Sequence, residues 1–168
     1  MDDDELLDLV DSNDHVVGSV MRSVTSNPHE GYLRASELFI QNDKGQLWIP
    51  RRHPAKRIAP SGLDYSMGGH VGHGETYMEA LIRETKEELN LELKPDRLSL
   101  IKKFGPTGEL RYFRSVYLYK SNQAPNYNPD DFTEFYWLTP QELMHKLEAG
   151  EPAKLSLLET AQYLVDGL

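Results

Sequence analysis

The 168-residue sequence predicts an α+β fold, an α/β/α sandwich with a mixed sheet between helices and an N-terminal β-hairpin. Three observations predict it. Apolar periodicity changes from two to 3.6 and back along the chain, giving strands, one central helix, strands again and two terminal helices. Hairpin signals recur around Asp11–Asp14, Asn42–Gly45 and Gly105–Gly108. Thr76 and Glu79 have capping-box spacing at the head of the central helix. We read residues 1–168 as one domain, with 1–30 as hairpin and loop and 31–168 as core.

Taken in order, Leu7 to Val10 and His15 to Met21 form the first hairpin. Residues 23–31 are a polar loop carrying His29. Tyr32 to Gln41 and Gln46 to Arg52 form the second hairpin, with Gly45 where a turn asks for φ > 0. Both hairpins are expected to join one sheet. Leu63 to Met67 reads as a short strand entering a glycine-rich loop. The helix that follows, from about Tyr77, should bury Met78, Leu81, Ile82, Thr85 and Leu89 as one stripe. Leu98 to Phe104 and Arg111 to Tyr119 form the third hairpin, residues 122–131 a turn-rich loop, and Phe132 to Leu138 a strand. Thr139, Pro140 and Glu142 open the next helix as N-cap, N1 and N3. A last helix over 154–165 should bury Leu157, Leu158, Ala161 and Leu164. These two helices read as packing without chemistry, and Trp48 and Trp137 as core or pocket wall.

A formal net charge of −9 argues against a nucleic-acid backbone or an anionic membrane as partner. An anionic substrate would need local cations and metal. The absence of cysteine excludes a disulfide framework and a thiolate nucleophile, and fits a cytoplasmic protein. No apolar run reaches membrane-spanning length, and the acidic start lacks signal-peptide character.

The chemistry concentrates in GHVGHGETYMEALIRETKEELNL, residues 69–91. Glu84, Glu87 and Glu88 share one helix face, where like charges repel by roughly 0.2–0.5 kcal/mol per pair. A hard divalent cation, Mg²⁺ or Mn²⁺, reverses that cost. A solvated acidic face paired with Arg83 and Lys86 is the plainer alternative. Gly68, Gly69, Gly72 and Gly74 lead into the helix N-terminus and permit close approach of a ligand. His70 and His73 are read as solvated or backbone-bonded, with metal ligation or phosphate contact as the alternative. Upstream, RRHPAKR gathers Arg51, Arg52 and Lys56 as a candidate phosphate clamp, or else a solvated basic turn. Downstream, Asp130, Asp131 or Glu134 could add a carboxylate to the metal cluster or act as base.

This stretch resembles the Nudix box, G-x5-E-x7-R-E-U-x-E-E-x-G-U, through Gly69, Glu75, Arg83, Glu84, Glu87, Glu88 and Leu91 at every spacing. Two positions depart. Thr85 stands where an aliphatic is usual, and Asn90 where a glycine ends the helix, a place Asn tolerates. Beyond the box, LVDSNDHVVGSVMR, KGQLWIPRR and LDYSMGGHV resemble the isopentenyl diphosphate isomerase-like branch, a similarity that covers roughly residues 6 to 145. That branch holds both isomerases and hydrolases. The isomerases place a catalytic cysteine where this chain has Gly68. They also use upstream histidines and a later glutamate pair, where ungapped matching gives Ser26, Leu33, Arg111 and Phe113. Without those groups, proton transfer at carbon lacks its acid and base.

The resemblance implies the Nudix sandwich and a metal-dependent pyrophosphohydrolase acting on nucleoside di- or triphosphates, or on nucleoside diphosphates linked to another group. Glu84, Glu87, Glu88 and the Gly69 carbonyl would hold the cation. Glu87 is the first choice of base, with Asp131 in reserve, and Glu75 and Arg83 are architectural. The competing class is a nucleotide-binding sensor without turnover, and the three retained acids argue against it. Trp48, Tyr65 and Tyr127 are candidates for the base pocket, and pairing of the hairpin with a second copy is left open.

Overall fold

The computed structural model describes residues 4–25 and 31–167. His29 and Ser26 lie outside them. A mixed six-stranded sheet is formed by β3 (Leu33–Gln41), β4 (Leu47–Arg52), β5 (Met67–His70), β6 (Leu98–Phe104), β7 (Tyr112–Lys120) and β8 (Phe132–Leu138). It runs in the order β6-β7-β3-β4-β8, with β5 added antiparallel along β3. β3 and β7 are parallel, whereas β4–β8 and β6–β7 are antiparallel.

The second hairpin splays. β3 and β4 pair only at Gln41–Leu47 beside the Gly45 turn, so each strand then finds another neighbour. Ser66 bridges the split. Its hydroxyl accepts from the Ile40 N–H at 2.8 Å and donates to the Trp48 carbonyl at 2.6 Å, standing in for ladder bonds. This corrects the strand expected over 63–67: its first residues cross the split, and β5 proper begins at Met67 and carries Gly68 and Gly69.

Alternation along the strands builds two cores. Leu38 and Ile40 of β3 face α1 (Tyr77–Leu89), with Trp48, Met67, Leu81, Leu89 and Phe132. Phe39 points the other way, onto Leu143 of α2 (Pro140–Glu148) and Leu157, Ala161 and Leu164 of α3 (Leu157–Gly167). The sheet therefore lies between helical layers. Both capping boxes form, Thr76 with Glu79 and Thr139 with Glu142.

Three packing expectations are corrected. The first hairpin, β1 (Leu6–Val10) with β2 (Val16–Met21), is a separate two-stranded sheet. Single bridges from Leu7 to Gly72 and from Val10 to Tyr32 fasten it to the core. Met78 and Ile82 are exposed, because α1 is rotated to bury Ala80, Leu81, Thr85 and Leu89. Leu158 is likewise exposed, and Thr160 takes the inward place on α3. Among the described residues no helix is long and apolar enough to cross a membrane.

Candidate active site

A cleft of about 740 Å³ opens where α1, β5, the 52–58 segment and the approach to α3 converge. Helix α1 starts at its capping box, and Ser36 of β3 holds the first turn by donating to the Tyr77 carbonyl at 2.6 Å. Its last turn ends on Asn90, whose φ of 50° is the left-handed cap that Asn accepts. Asn90 then donates to the Asn126 carbonyl at 2.6 Å, and the Asn128 N–H to the Glu88 carbonyl at 2.8 Å. The turn-rich loop is thus fixed beside the acids.

Arg83 is the hub of those acids. Its guanidinium donates to Glu75 at 2.7 and 2.9 Å and to Glu84 Oε1 at 2.9 Å, and lies 3.6 Å from Glu87 and 3.5 Å from Glu5 of the N-terminal segment. The bond from Arg83 holds the Glu75 carboxyl below its ordinary range. Burial pushes Glu84 up despite Arg83. Glu88 is raised further, first by burial and then by the Glu84 and Asp64 charges. Its Oε2 is sealed from water and has no hydrogen-bond partner.

That orphaned oxygen is what a cation would satisfy. A buried carboxylate without a partner is costly, and an all-oxygen donor set suits Mg²⁺ or Mn²⁺. Gly69 fits the same cradle, since a Cβ there would lie 2.4 Å from Glu84 Cδ. Among the described residues no three acidic or imidazole groups already converge for chelation. Arg83 draws two of the acids toward itself, bonding Glu84 Oε1 at 2.9 Å and lying 3.6 Å from Glu87.

Gly69, Glu84, Glu87, Glu88, Asp131, Arg52 and Lys56 all border the cleft. Lys56 donates to Asp131 at 2.5 Å, and Arg52 to buried Asp64 at 2.7 Å. Arg51 does not border it. Its guanidinium is consumed by Glu134, Ser61, Glu151 and Tyr136 at 2.8–3.2 Å, because the alternation of β4 turns it away from Arg52. Glu134 goes with it, and Asp130 is exposed outside the cleft. His70 lines the cleft against Tyr112, and burial depresses its pKa to about 3, so its ring is neutral. His73 instead meets Asp8 at 2.7 Å.

The aromatic expectations change places. Trp48 and Tyr65 are fully buried, and Tyr127 packs on Trp48 at 5.8 Å, so the cleft's aromatic wall is Tyr112 and Phe132. Leu33, Arg111 and Phe113 stay off the cleft, while their neighbours Tyr112 and Arg114 border it. Sequence reasoning missed Glu37, Arg114 and Lys154. The only available signal was a charged residue inside each apolar strand, Glu37 in β3 and Arg114 in β7, which a buried strand admits only when paired.

Residues 31–160 match the model of the NUDIX domain. A Nudix hydrolase of Nostoc sp. is 44% identical over 163 residues, covering 96% of each chain. A crystal structure from Deinococcus radiodurans superposes with a TM-score of 0.87 at 43% identity, covering 95% of this chain and 99% of that one. An isopentenyl-diphosphate Delta-isomerase of Paenarthrobacter aurescens is 29% identical over 119 residues, covering 68% of this chain and 65% of that protein.

Proposed function

The chain belongs to the Nudix hydrolase family, whose relatives include isomerases, and from that premise we propose a divalent-metal-dependent pyrophosphohydrolase acting on nucleoside di- or triphosphates or on nucleoside diphosphates joined to another group. The observation that carries the reading is the unpartnered Glu88 Oε2, buried beside Glu84 in a cleft that also holds Lys56, Arg52 and Arg57. Glu84, Glu88 and the Gly69 carbonyl would hold the cation, and Glu87 borders the same cleft. The chemistry that Mg²⁺ or Mn²⁺ would supply there is Lewis-acid stabilisation of phosphoryl charge and a lowered pKa for a water.

The chain's own groups divide the remaining work. Glu88 is sealed and serves as ligand. Glu87 is 60% exposed at its side chain and can pass a proton to bulk water, so it is the base. Asp131 is held by Lys56 and orients that ammonium toward phosphate. Tyr112, half-buried on the cleft wall, offers a face for a nucleobase. Isomerase chemistry is disfavoured because Gly68 stands where the isomerases place a catalytic cysteine, and the chain has no cysteine to supply.

The test is release of phosphate and pyrophosphate from nucleoside di- and triphosphates and diphospho-sugars, with Mg²⁺, with Mn²⁺ and with chelator. Turnover should require metal and fall at least about a hundredfold in Glu88→Gln, a loss typical of removing one essential electrostatic group. Nucleotide binding without turnover on the whole panel would make the protein a sensor instead.

A further inference from the structure

We propose that Lys154 is a substrate-binding residue, its ammonium taking a phosphoryl oxygen over the bare backbone of Gly68, on the face of β5 opposite the metal acids. The inference deepens the pyrophosphohydrolase reading and rests on it for the identity of the anion.

The first ground is what the other cleft cations are doing. Arg52 is bonded to Asp64, Lys56 to Asp131, Arg83 to Glu75 and Glu84, and Arg114 to Glu37 and Glu159. Lys154 differs. Its nearest carboxylate oxygen, Asp64 Oδ1, is 3.6 Å away, and among the described residues its ammonium makes no hydrogen bond. That carboxylate already accepts from the Tyr65 N–H at 2.7 Å and from Arg52. The lysine side chain is only 22% exposed. A largely buried lysine whose ammonium reaches the cleft with no acceptor within hydrogen-bond distance among the described residues is set for an anion.

The second ground is how it is delivered. Leu63 donates to the Pro152 carbonyl at 2.8 Å and accepts from the Lys154 N–H at 3.0 Å, and the Lys154 carbonyl accepts from the Leu157 N–H at 3.0 Å. The backbone is therefore pinned on both sides before the side chain extends. Lysine Nζ lies 2.8 Å from where a Cβ of residue 68 would stand. Successive strand residues face opposite sides. Gly69 bares one face of β5 to Glu84, and Gly68 bares the other to Lys154, so one edge strand carries a cation seat and an anion seat back to back. Arg22 and Arg57 also border the cleft, but Arg22, 3.8 Å from Glu5, has a side chain 38% exposed and Arg57 is exposed, so water screens both.

The test is binding of methylenediphosphonate, a non-hydrolysable pyrophosphate analogue, in Mg²⁺ by calorimetry. Wild type, Lys154→Met, Gly68→Ala and the double variant are compared, alongside turnover on the substrate panel. Lys154→Met should weaken binding about tenfold to a hundredfold, the worth of one charge-assisted hydrogen bond. Gly68→Ala keeps the lysine but displaces only the flexible end of its side chain, so it should fold normally and weaken binding similarly. The double variant should be no weaker than Lys154→Met alone, because both changes remove one interaction. Where substrate is turned over, the loss should appear in KM more than in kcat. Wild type that fails to bind the analogue, or Lys154→Met that binds within twofold of wild type, overturns the proposal. Lysine-dependent binding with no turnover on any substrate upholds it and removes the hydrolase reading alone.

Discussion

Asp14 holds the turn of the first hairpin at φ 63°, and its carboxylate is where three elements meet. Arg34 of β3 donates to it at 2.6 Å and Tyr77 of α1 at 2.8 Å, and Lys103 of β6 bonds the same oxygen as Tyr77. Burial opposes ionisation, but these bonds outweigh it and hold the carboxyl below its ordinary 3.8. A depressed carboxylate contributes stability that is present above the unfolded pKa and lost as pH falls through the folded one. Asp14→Asn keeps the left-handed backbone and removes the charge. Its denaturation midpoint at pH 7 should reflect a loss of about 1.5–3 kcal/mol, the range for hydrogen bonds to a charged group. The gap to wild type should close only below pH 3.8. A pH-independent gap would mean that the turn geometry, not the charge, fastens the hairpin.

Helix α1 is the element whose existence was most legible and whose orientation was least so. Thr76, Glu79 and Asn90 mark both ends locally, because caps are satisfied within three or four residues. The acids were legible for the same reason, their spacing being fixed along one helix. Which flank faces inward depends on partners far away in sequence. Apolarity alone centres the stripe to include Met78 and Ile82, but β5 presents Gly69 to the helix, and α1 turns Glu84 toward it. The site thus overrides the hydrophobic pattern, as functional sites do. This rotation separates two adjacent aliphatics: Leu81→Ala should cost about 2–5 kcal/mol by chemical denaturation. Ile82→Ala, on the exposed side, should stay within about 0.5 kcal/mol. Comparable losses at both positions would contradict the rotation.

At the scale of the molecule, the cleft is joined to the far helical layer by one buried arginine. Arg114 Nη1 lies 3.1 Å from Glu37 and donates to Tyr65 at 2.9 Å and Thr160 at 3.0 Å, while Nη2 meets Glu159 at 2.5 Å. The network draws on β3, β7, the segment crossing the split and α3. No sequence window contains it, since Glu37 and Arg114 are 77 residues apart, and for that reason α3 read as packing alone. Burial pushes the Glu37 carboxyl up, and Arg114, followed by Lys154, draws it back. Removing the arginine leaves a buried acid without its main partner, so Arg114→Leu should destabilise by about 3–5 kcal/mol. Adding Glu37→Gln should restore part of that loss, because a neutral amide no longer needs the cation. The pair is read by chemical denaturation of both single variants and the double. Additive losses would show that the two side chains act independently. Recovery would establish that Arg114 compensates the Glu37 charge on the face of β5 where Lys154 stands, coupling the packing of α3 to the electrostatics of the cleft.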